Sequence, residues 1–183
     1  MSTSGNELGA AASTEPDFAA TTDPGGRDSH DFVLRTVQPA LLGLADGSIS
    51  TLAPLFAAAV ATHESHVALL VGLSAAVGAA ISMGVSEALS DDGSLTGRGH
   101  PLRRGVVTGL GTLVGAGGHA LPFLISDYSA AMTVAIVVVA AELLAIAWIR
   151  WRWFPGTTIR SSIVQVTLAG IVVFAVGLVF GGA

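Results

Sequence analysis

Long apolar runs separated by short polar segments make up nearly all of the chain after residue 38. An α-helix needs about 20 mainly apolar residues to cross the hydrocarbon core of a bilayer. The runs that meet this length cover residues 40–61, 67–89, 105–125, 130–153 and 163–180. The pattern therefore predicts an all-α, polytopic membrane protein with five transmembrane helices.

The composition supports this interpretation. Hydrophobic residues make up 51% of the chain and charged residues 11%, whereas soluble domains are about 25% charged. The chain contains no cysteine, which excludes disulfides and thiolate metal sites. Neither a nucleophile with a base and an orienting group nor a phosphate-binding glycine loop is apparent. We therefore expect neither an enzyme nor an ATP-driven pump, and no resident cofactor.

The first 35 residues differ from the rest. They are rich in Ser, Thr, Gly, Ala and acidic residues, with too few large apolar side chains to offset the entropy lost on ordering. They lack the basic start and apolar centre of a secretory signal. We predict a disordered acidic N-terminal tail over residues 1–35, followed by a five-helix transmembrane domain over residues 36–183.

The arginines predict the orientation. The chain has no lysine, and its eight arginines lie before the first run, between the second and third, and around the link between the fourth and fifth. Basic residues that flank transmembrane helices stay in the cytoplasm. This places the N-terminus in the cytoplasm and the C-terminus outside. The segment "WIRWRWFP" is typical of an interfacial anchor, and we expect no nucleic-acid partner.

Asp46 interrupts the first apolar run. At about 1.5 Å of rise per residue it lies roughly 9 Å inside the cytoplasmic end of the helix. A charged side chain at the bilayer centre costs about 2.5–3.5 kcal/mol on insertion scales, so intramembrane acids usually face a cavity or an ion pathway. The alternative is a structural acid, which is protonated or held by Ser or Arg of a neighbouring helix.

The second run leads back toward the cytoplasm and places Met83 at about the depth of Asp46 and Glu87 one turn nearer the cytoplasm. Met83 and Glu87 are four residues apart and share a helix face. Ser50 lies one turn after Asp46, and Pro54 cannot donate a hydrogen bond to the Ser50 carbonyl. A carboxylate, a thioether and a hydroxyl could therefore converge there. Alternatively, Met83 is ordinary packing and Glu87 a structural acid near the interface.

Two more ionisable residues lie deeper in later runs. Glu142 falls near the middle of the fourth run, and His119 lies nearer the outer side of the third. By depth alone they extend a possible pathway from Asp46 toward the outer segment "HESH", which we interpret as a solvated turn. His119 could instead bond a backbone carbonyl freed by Pro122.

The segments "GLADGSIST", "AAISMGVSEALS" and "RSSIVQVTLAGIVVFAVGLVFGG" together resemble the vacuolar iron transporter family over residues 36–183. The resemblance implies a five-span homodimer that exports Fe²⁺ or Mn²⁺ from the cytosol in exchange for protons. This chain would be a short member, because only residues 91–104 stand where other members carry a cytoplasmic metal-binding helical domain.

The resemblance also implies roles for single residues. Asp46 and Met83 would be metal-pathway positions, with Glu87 as the adjoining acid. Gly47 and Gly84 would be their small neighbours.

Ligand chemistry limits the cargo independently. Carboxylates with one thioether suit Fe²⁺ or Mn²⁺ better than Cu(I), and the sulfur makes Mg²⁺ or Ca²⁺ less natural. A carboxyl group removed from water favours its protonated form, so it can exchange a proton for a metal ion. Glycine-rich faces and an odd number of spans favour a homodimer, and we expect the plasma membrane. The competing hypotheses are a structural or interaction membrane protein and a carrier of a cationic organic solute.

Overall fold

The structure, a computed structural model, describes residues 24–94 and 96–183, with side chains from residue 28 onward. All regular elements in these ranges are helical, which confirms the all-α prediction. They are α1 (Pro24–Phe32), a π-helix (Val33–Val37), α2 (Gln38–Ser50), α3 (Leu52–Thr62), α4 (Ser65–Ser90), α5 (Pro101–Gly118), a 3-10 turn (Leu121–Leu124), α6 (Tyr128–Trp153) and α7 (Ile159–Gly181).

Four helical segments in the described part of the chain are long and apolar enough to cross a membrane. They are Asp28–Thr62, Ser65–Ser90, Tyr128–Trp153 and Ile159–Gly181. The chain is therefore a multi-pass integral membrane protein. The third predicted span corresponds to α5, which has 18 residues and carries Arg103 and Arg104 near its start. These arginines lower its hydropathy, so α5 as a fifth span remains a prediction.

Glycines bring the backbones of α2 and α5 into direct contact. A Cβ atom added at Gly43 would meet the carbonyl of Thr108, and one added at Gly47 would meet the carbonyl of Thr112. Residue numbers rise together on the two helices, so α2 and α5 run parallel. Such close approach is the usual role of small residues in membrane bundles.

The contact between α2 and α5 predicts that one methyl group added at Gly47 destabilises the fold. Gly47→Ala should lower the free energy of unfolding by about 1–3 kcal/mol, because a backbone carbonyl cannot move aside as a flexible side chain can. Thermal unfolding in detergent would measure the change. Gly78→Ala is the matched control, since no atom lies within 4 Å of a Cβ added there, and its midpoint should not fall. Equal midpoints for both variants would contradict the α2–α5 contact.

α5 also packs on α4, and these two helices run in opposite directions. Gly105 of α5 lies against Gly84 of α4, and Gly109 lies against Ala80. Residue numbers fall on one helix as they rise on the other, so α4 and α5 are antiparallel. Gly84 therefore lies at this helix contact.

The last helix, α7, packs on α3. Gly177 of α7 packs against Ala53 of α3, and Gly181 packs against Ala57, so α7 runs parallel to α3. The long helices thus reverse direction along the chain from one to the next. α5 lies side by side with two of the membrane-spanning helices, as a fifth span would.

The arginine-bearing segments lie together at one end of this bundle. Arg35 Nε donates a hydrogen bond to the Gly97 carbonyl at 3.2 Å, which joins the first segment to the second. The rings of Phe32 and Trp153 are 5.9 Å apart, which joins the first segment to the third. Arginines gathered at one end of the bundle are what a cytoplasmic end would contain. That this end faces the cytoplasm remains a prediction.

Single cysteines would test the orientation. The chain has no native cysteine, and Ser94 and Ser126 are both exposed. We expect a cysteine at Ser126 to react with an impermeant thiol reagent in intact cells, and one at Ser94 to react only after permeabilisation. The reverse pattern would overturn both the orientation and the direction of transport inferred from it.

The start of the chain differs from the prediction over residues 24–35. These residues are helical in the structure, and α1 and the π-helix lead directly into α2. An ion pair one turn apart, Arg35 to Asp31 at 2.9 Å, supports the helix, as does the contact of Phe32 with Trp153. Residues 1–23 of the predicted tail lie outside the described residues.

The third predicted span also ends earlier than residue 125. α5 stops at Gly118, and the 3-10 turn follows it. Two consecutive glycines favour helix termination, and Pro122 is suited to the start of the next turn. As a result His119 leaves the helical path, and its side chain is fully buried.

Candidate functional site

Thr51 interrupts the first membrane-spanning segment. It separates α2 from α3 with φ −91° and ψ −8°. Pro54 follows within one turn and cannot donate to the Ser50 carbonyl, which explains a break there. The Thr51 hydroxyl donates to the Gly47 carbonyl at 2.7 Å, and its oxygen lies 2.9 Å from His119 Nε2. The break thus places a polar side chain against α5 inside the bundle.

His119 connects Thr51 to Glu142. Its Nδ1 atom lies 2.9 Å from Glu142 Oε2, and the two side chains are 0% and 15% exposed. The structure therefore brings together two of the predicted pathway residues. The alternative partner of His119, a carbonyl freed by Pro122, is not observed, because both ring nitrogens face side chains. Sequence reasoning missed Thr51, although a threonine shortly before a proline in an apolar run was an available signal.

Gly118 makes room for the Glu142 carboxylate. A Cβ atom added at Gly118 would clash with Glu142 Oε1. Because that oxygen is the end of a flexible side chain, a larger residue would displace the carboxylate rather than the helix. A Cβ added at the neighbouring Gly117 would meet no atom within 4 Å. The position of the carboxylate thus depends on Gly118.

Asp46 has a different environment. It is partly buried on α2, and Ser50 one turn later is exposed. Among the described residues, Asp46 has neither a hydrogen-bond partner nor an ion-pair partner. The alternative of an acid held by a neighbouring Ser or Arg is therefore not seen in this part of the chain. Met83 is partly buried on α4, on the same face as Glu87.

Glu87 belongs to a buried ion-pair cluster at the arginine end. Its Oε1 accepts hydrogen bonds from Arg98 Nη2 at 2.7 Å and Arg104 Nε at 3.0 Å. Asp91 contacts the same arginines at 3.2 and 3.3 Å. The Glu87 and Arg104 side chains are only 6% and 1% exposed. Two guanidinium groups thus balance the Glu87 carboxylate and connect α4 to α5.

The predicted metal ligands differ in their partners among the described residues. The described residues contain no group of three or more His, Cys, Asp or Glu side chains that could hold a metal ion. Asp46 is unpaired, whereas Glu87 is bonded to arginine. Of the two predicted carboxylate ligands, Asp46 is therefore the one without a partner among the described residues, and Met83 is a candidate thioether.

Asp91, outside the helices, gives the cluster a pH dependence. Partial burial raises the pKa of its carboxyl, but other interactions outweigh this effect and lower it. They are hydrogen bonds from Gly93 and Thr96 and the charges of Arg104 and Arg98. Because its pKa is lowered in the folded protein, the ionised Asp91 stabilises the fold at pH values above its ordinary pKa of 3.8. This stabilisation is lost as the pH falls through the folded-state pKa.

Comparisons with known proteins found no match to this chain among family models, curated proteins or solved structures. The resemblance to vacuolar iron transporters is therefore carried by the sequence segments alone and remains a prediction.

Proposed function

We propose that the protein moves a divalent transition metal, Fe²⁺ or Mn²⁺, out of the cytosol in exchange for protons. The observation that carries the proposal is Asp46, a partly buried carboxylate within a membrane-spanning segment that has no partner among the described residues. Glu87 and Glu142, by contrast, are both paired. An unpaired carboxylate in a membrane is costly and usually marks an ion pathway.

A second copy of the chain would complete the metal site. The outward stripe of α2 and α3 consists of four residues at helical spacing: Leu42, Asp46, Ser50 and Pro54. Asp46 is half-buried, and the other three are exposed. α2 packs on α5 through a different face, that of Gly43. A twofold axis beside the stripe would pair two Asp46 carboxylates. We therefore propose a homodimer.

The oligomeric state can be measured directly. Mass photometry of detergent-solubilised protein, corrected for the micelle, is expected to give the mass of two chains. The reason is that the described part of one chain holds no group of three or more His, Cys, Asp or Glu side chains that could bind a metal ion, so a second copy would supply the further ligands. A stable monomer that still transports metal would refute the dimer.

The ion pairs of Glu87 change the role that we assign to it. A carboxylate bonded to two arginines is a poor cation ligand, so we propose that Glu87 anchors the loop between α4 and α5. Asp46 and Met83 remain the proposed metal ligands, and their chemistry favours Fe²⁺ or Mn²⁺ over Mg²⁺. The sequence resemblance supports the same two residues and the same cargo.

Flux through reconstituted protein tests the proposal. Proteoliposomes containing a metal-sensitive dye and, in parallel, a pH dye should report Fe²⁺ or Mn²⁺ movement together with opposite proton movement. Mg²⁺ should move more slowly. Flux of an organic cation without metal flux would favour the organic-solute carrier, and no flux of either would favour a structural protein.

A further inference from the structure

We propose that Thr51, His119 and Glu142 form a proton-binding site separate from Asp46, in which Glu142 takes up and releases the proton that is exchanged for metal. This inference rests on the proposed function, because it assumes a proton-coupled metal flux. It is carried by hydrogen-bond geometry inside the bundle.

The position of one hydrogen follows from the donors and acceptors. The Thr51 hydroxyl has one hydrogen, and it is donated to the Gly47 carbonyl at 2.7 Å. The hydroxyl oxygen can therefore only accept from His119 Nε2, which lies 2.9 Å away. Nε2 must then carry a hydrogen, since a neutral imidazole donates from one nitrogen and accepts at the other. Thr51 thus fixes the tautomer of His119.

This tautomer leaves His119 Nδ1 to share a proton with Glu142 Oε2, 2.9 Å away. The proton can lie on the carboxyl oxygen, with a neutral imidazole, or on Nδ1, with a carboxylate. The pair has no net charge in either case, which suits a buried site. If the proton leaves, the carboxylate remains beside a neutral imidazole, and the site has one negative charge.

The exposure of the side chains indicates the route of the proton. His119 is 0% exposed and Glu142 is 15% exposed, so the carboxylate is the more accessible member of the pair, and we place proton entry there. Gly118 keeps that carboxylate in place. His119, oriented by Thr51, shares this proton with the carboxyl group for as long as the proton is bound.

In the described part of the chain, no other titratable side chain makes a hydrogen bond or an ion pair with His119 or Glu142. The buried residues of α7 and of the 3-10 turn include no titratable group. The titratable residue buried on α4, Glu87, is held by arginines at the bundle end. Asp46 of α2 makes no hydrogen bond to the pair. Within the described part of the chain, binding or release of a proton at Glu142 therefore changes the charge of the His119–Glu142 pair and of no other hydrogen-bonded group.

The first test separates proton coupling from metal binding. Glu142→Gln can still donate an amide hydrogen to His119 Nδ1 but cannot titrate. In proteoliposomes it should abolish metal accumulation driven by a pH gradient and the accompanying proton movement, while metal-for-metal exchange at equal pH continues. Persistent proton coupling in this variant would overturn the inference, and absent metal exchange in the unaltered protein would overturn the proposed function instead.

The second test does not depend on transport. Nitrogen NMR of the full chain with ¹⁵N-labelled histidine should show His119 protonated at Nε2, the signal being assigned by its absence in His119→Gln. Gly118→Ala should shift the Nδ1 signal by displacing the carboxylate, and Gly117→Ala, the matched control, should not. A His119 signal that neither Gly118→Ala nor Glu142→Gln alters would refute the shared proton.

Discussion

Asp46→Asn is expected to reduce Fe²⁺ or Mn²⁺ flux through the reconstituted protein to background and to stop the coupled proton movement. Asn has nearly the shape of Asp but no negative charge, so it cannot replace water around a divalent metal, and without metal flux the coupled proton movement stops as well. Asp46 has no ion-pair partner among the described residues, so the substitution breaks no internal pair. The variant should therefore insert normally and unfold at the temperature of the unaltered protein.

Two further variants sharpen this result. Asp92→Asn removes a charge from an exposed acid in the loop after α4 and should leave the flux unchanged. Met83→Leu should cost less than about 1.5 kcal/mol of stability, because the two side chains have similar volumes. It should also reduce the preference for Fe²⁺ over Mg²⁺, because the sulfur is lost.

Flux at the normal rate in Asp46→Asn would contradict the proposed role of Asp46 as a metal ligand and would make it a structural acid.

The helices could be predicted from the sequence because lipid imposes a simple requirement. A segment that crosses a bilayer must be apolar over its whole length and must satisfy its own backbone hydrogen bonds. This fixes the helices around residues 67–89 and 130–153 closely. It describes α5 less well, since this helix contacts α2 and α4 through glycines and carries two arginines near its start. The apolar character of α5 alone does not show its place in the bundle.

The partners of the acidic side chains could not be predicted in the same way. Depth along a helix placed Glu87 beside Asp46, but the direction of each side chain depends on how the helices rotate and pack. One of the two arginines that bind Glu87, Arg104, contacts a loop that includes Gly93, with φ +78°, and Gly99, with φ +77°. Such turn conformations are hard to infer from one sequence. Depth placed Glu142 near the midplane and His119 nearer the outer side, and it did not show that the two side chains meet.

Arg104→Gln is expected to cause the largest loss of stability among substitutions outside the transmembrane core. Arg104 is 1% exposed and bonds to Glu87, to Asp91 and to the Gly99 carbonyl. Removing one partner of a buried ion pair costs about 3–5 kcal/mol, because the other charge stays buried. Since Arg98 still contacts Glu87 at 2.7 Å, we expect the lower end of this range. Thermal unfolding in detergent would measure it.

The neighbouring arginine provides the control for this prediction. Arg103 is exposed, so Arg103→Gln removes the same charge and should change stability by less than about 1 kcal/mol. Adding Glu87→Gln to Arg104→Gln should restore part of the lost stability, because it removes the buried charge that was left without its partner. If the double variant is no more stable than Arg104→Gln alone, the loss arises from the loop contacts of Arg104, and Glu87 is not its energetic partner.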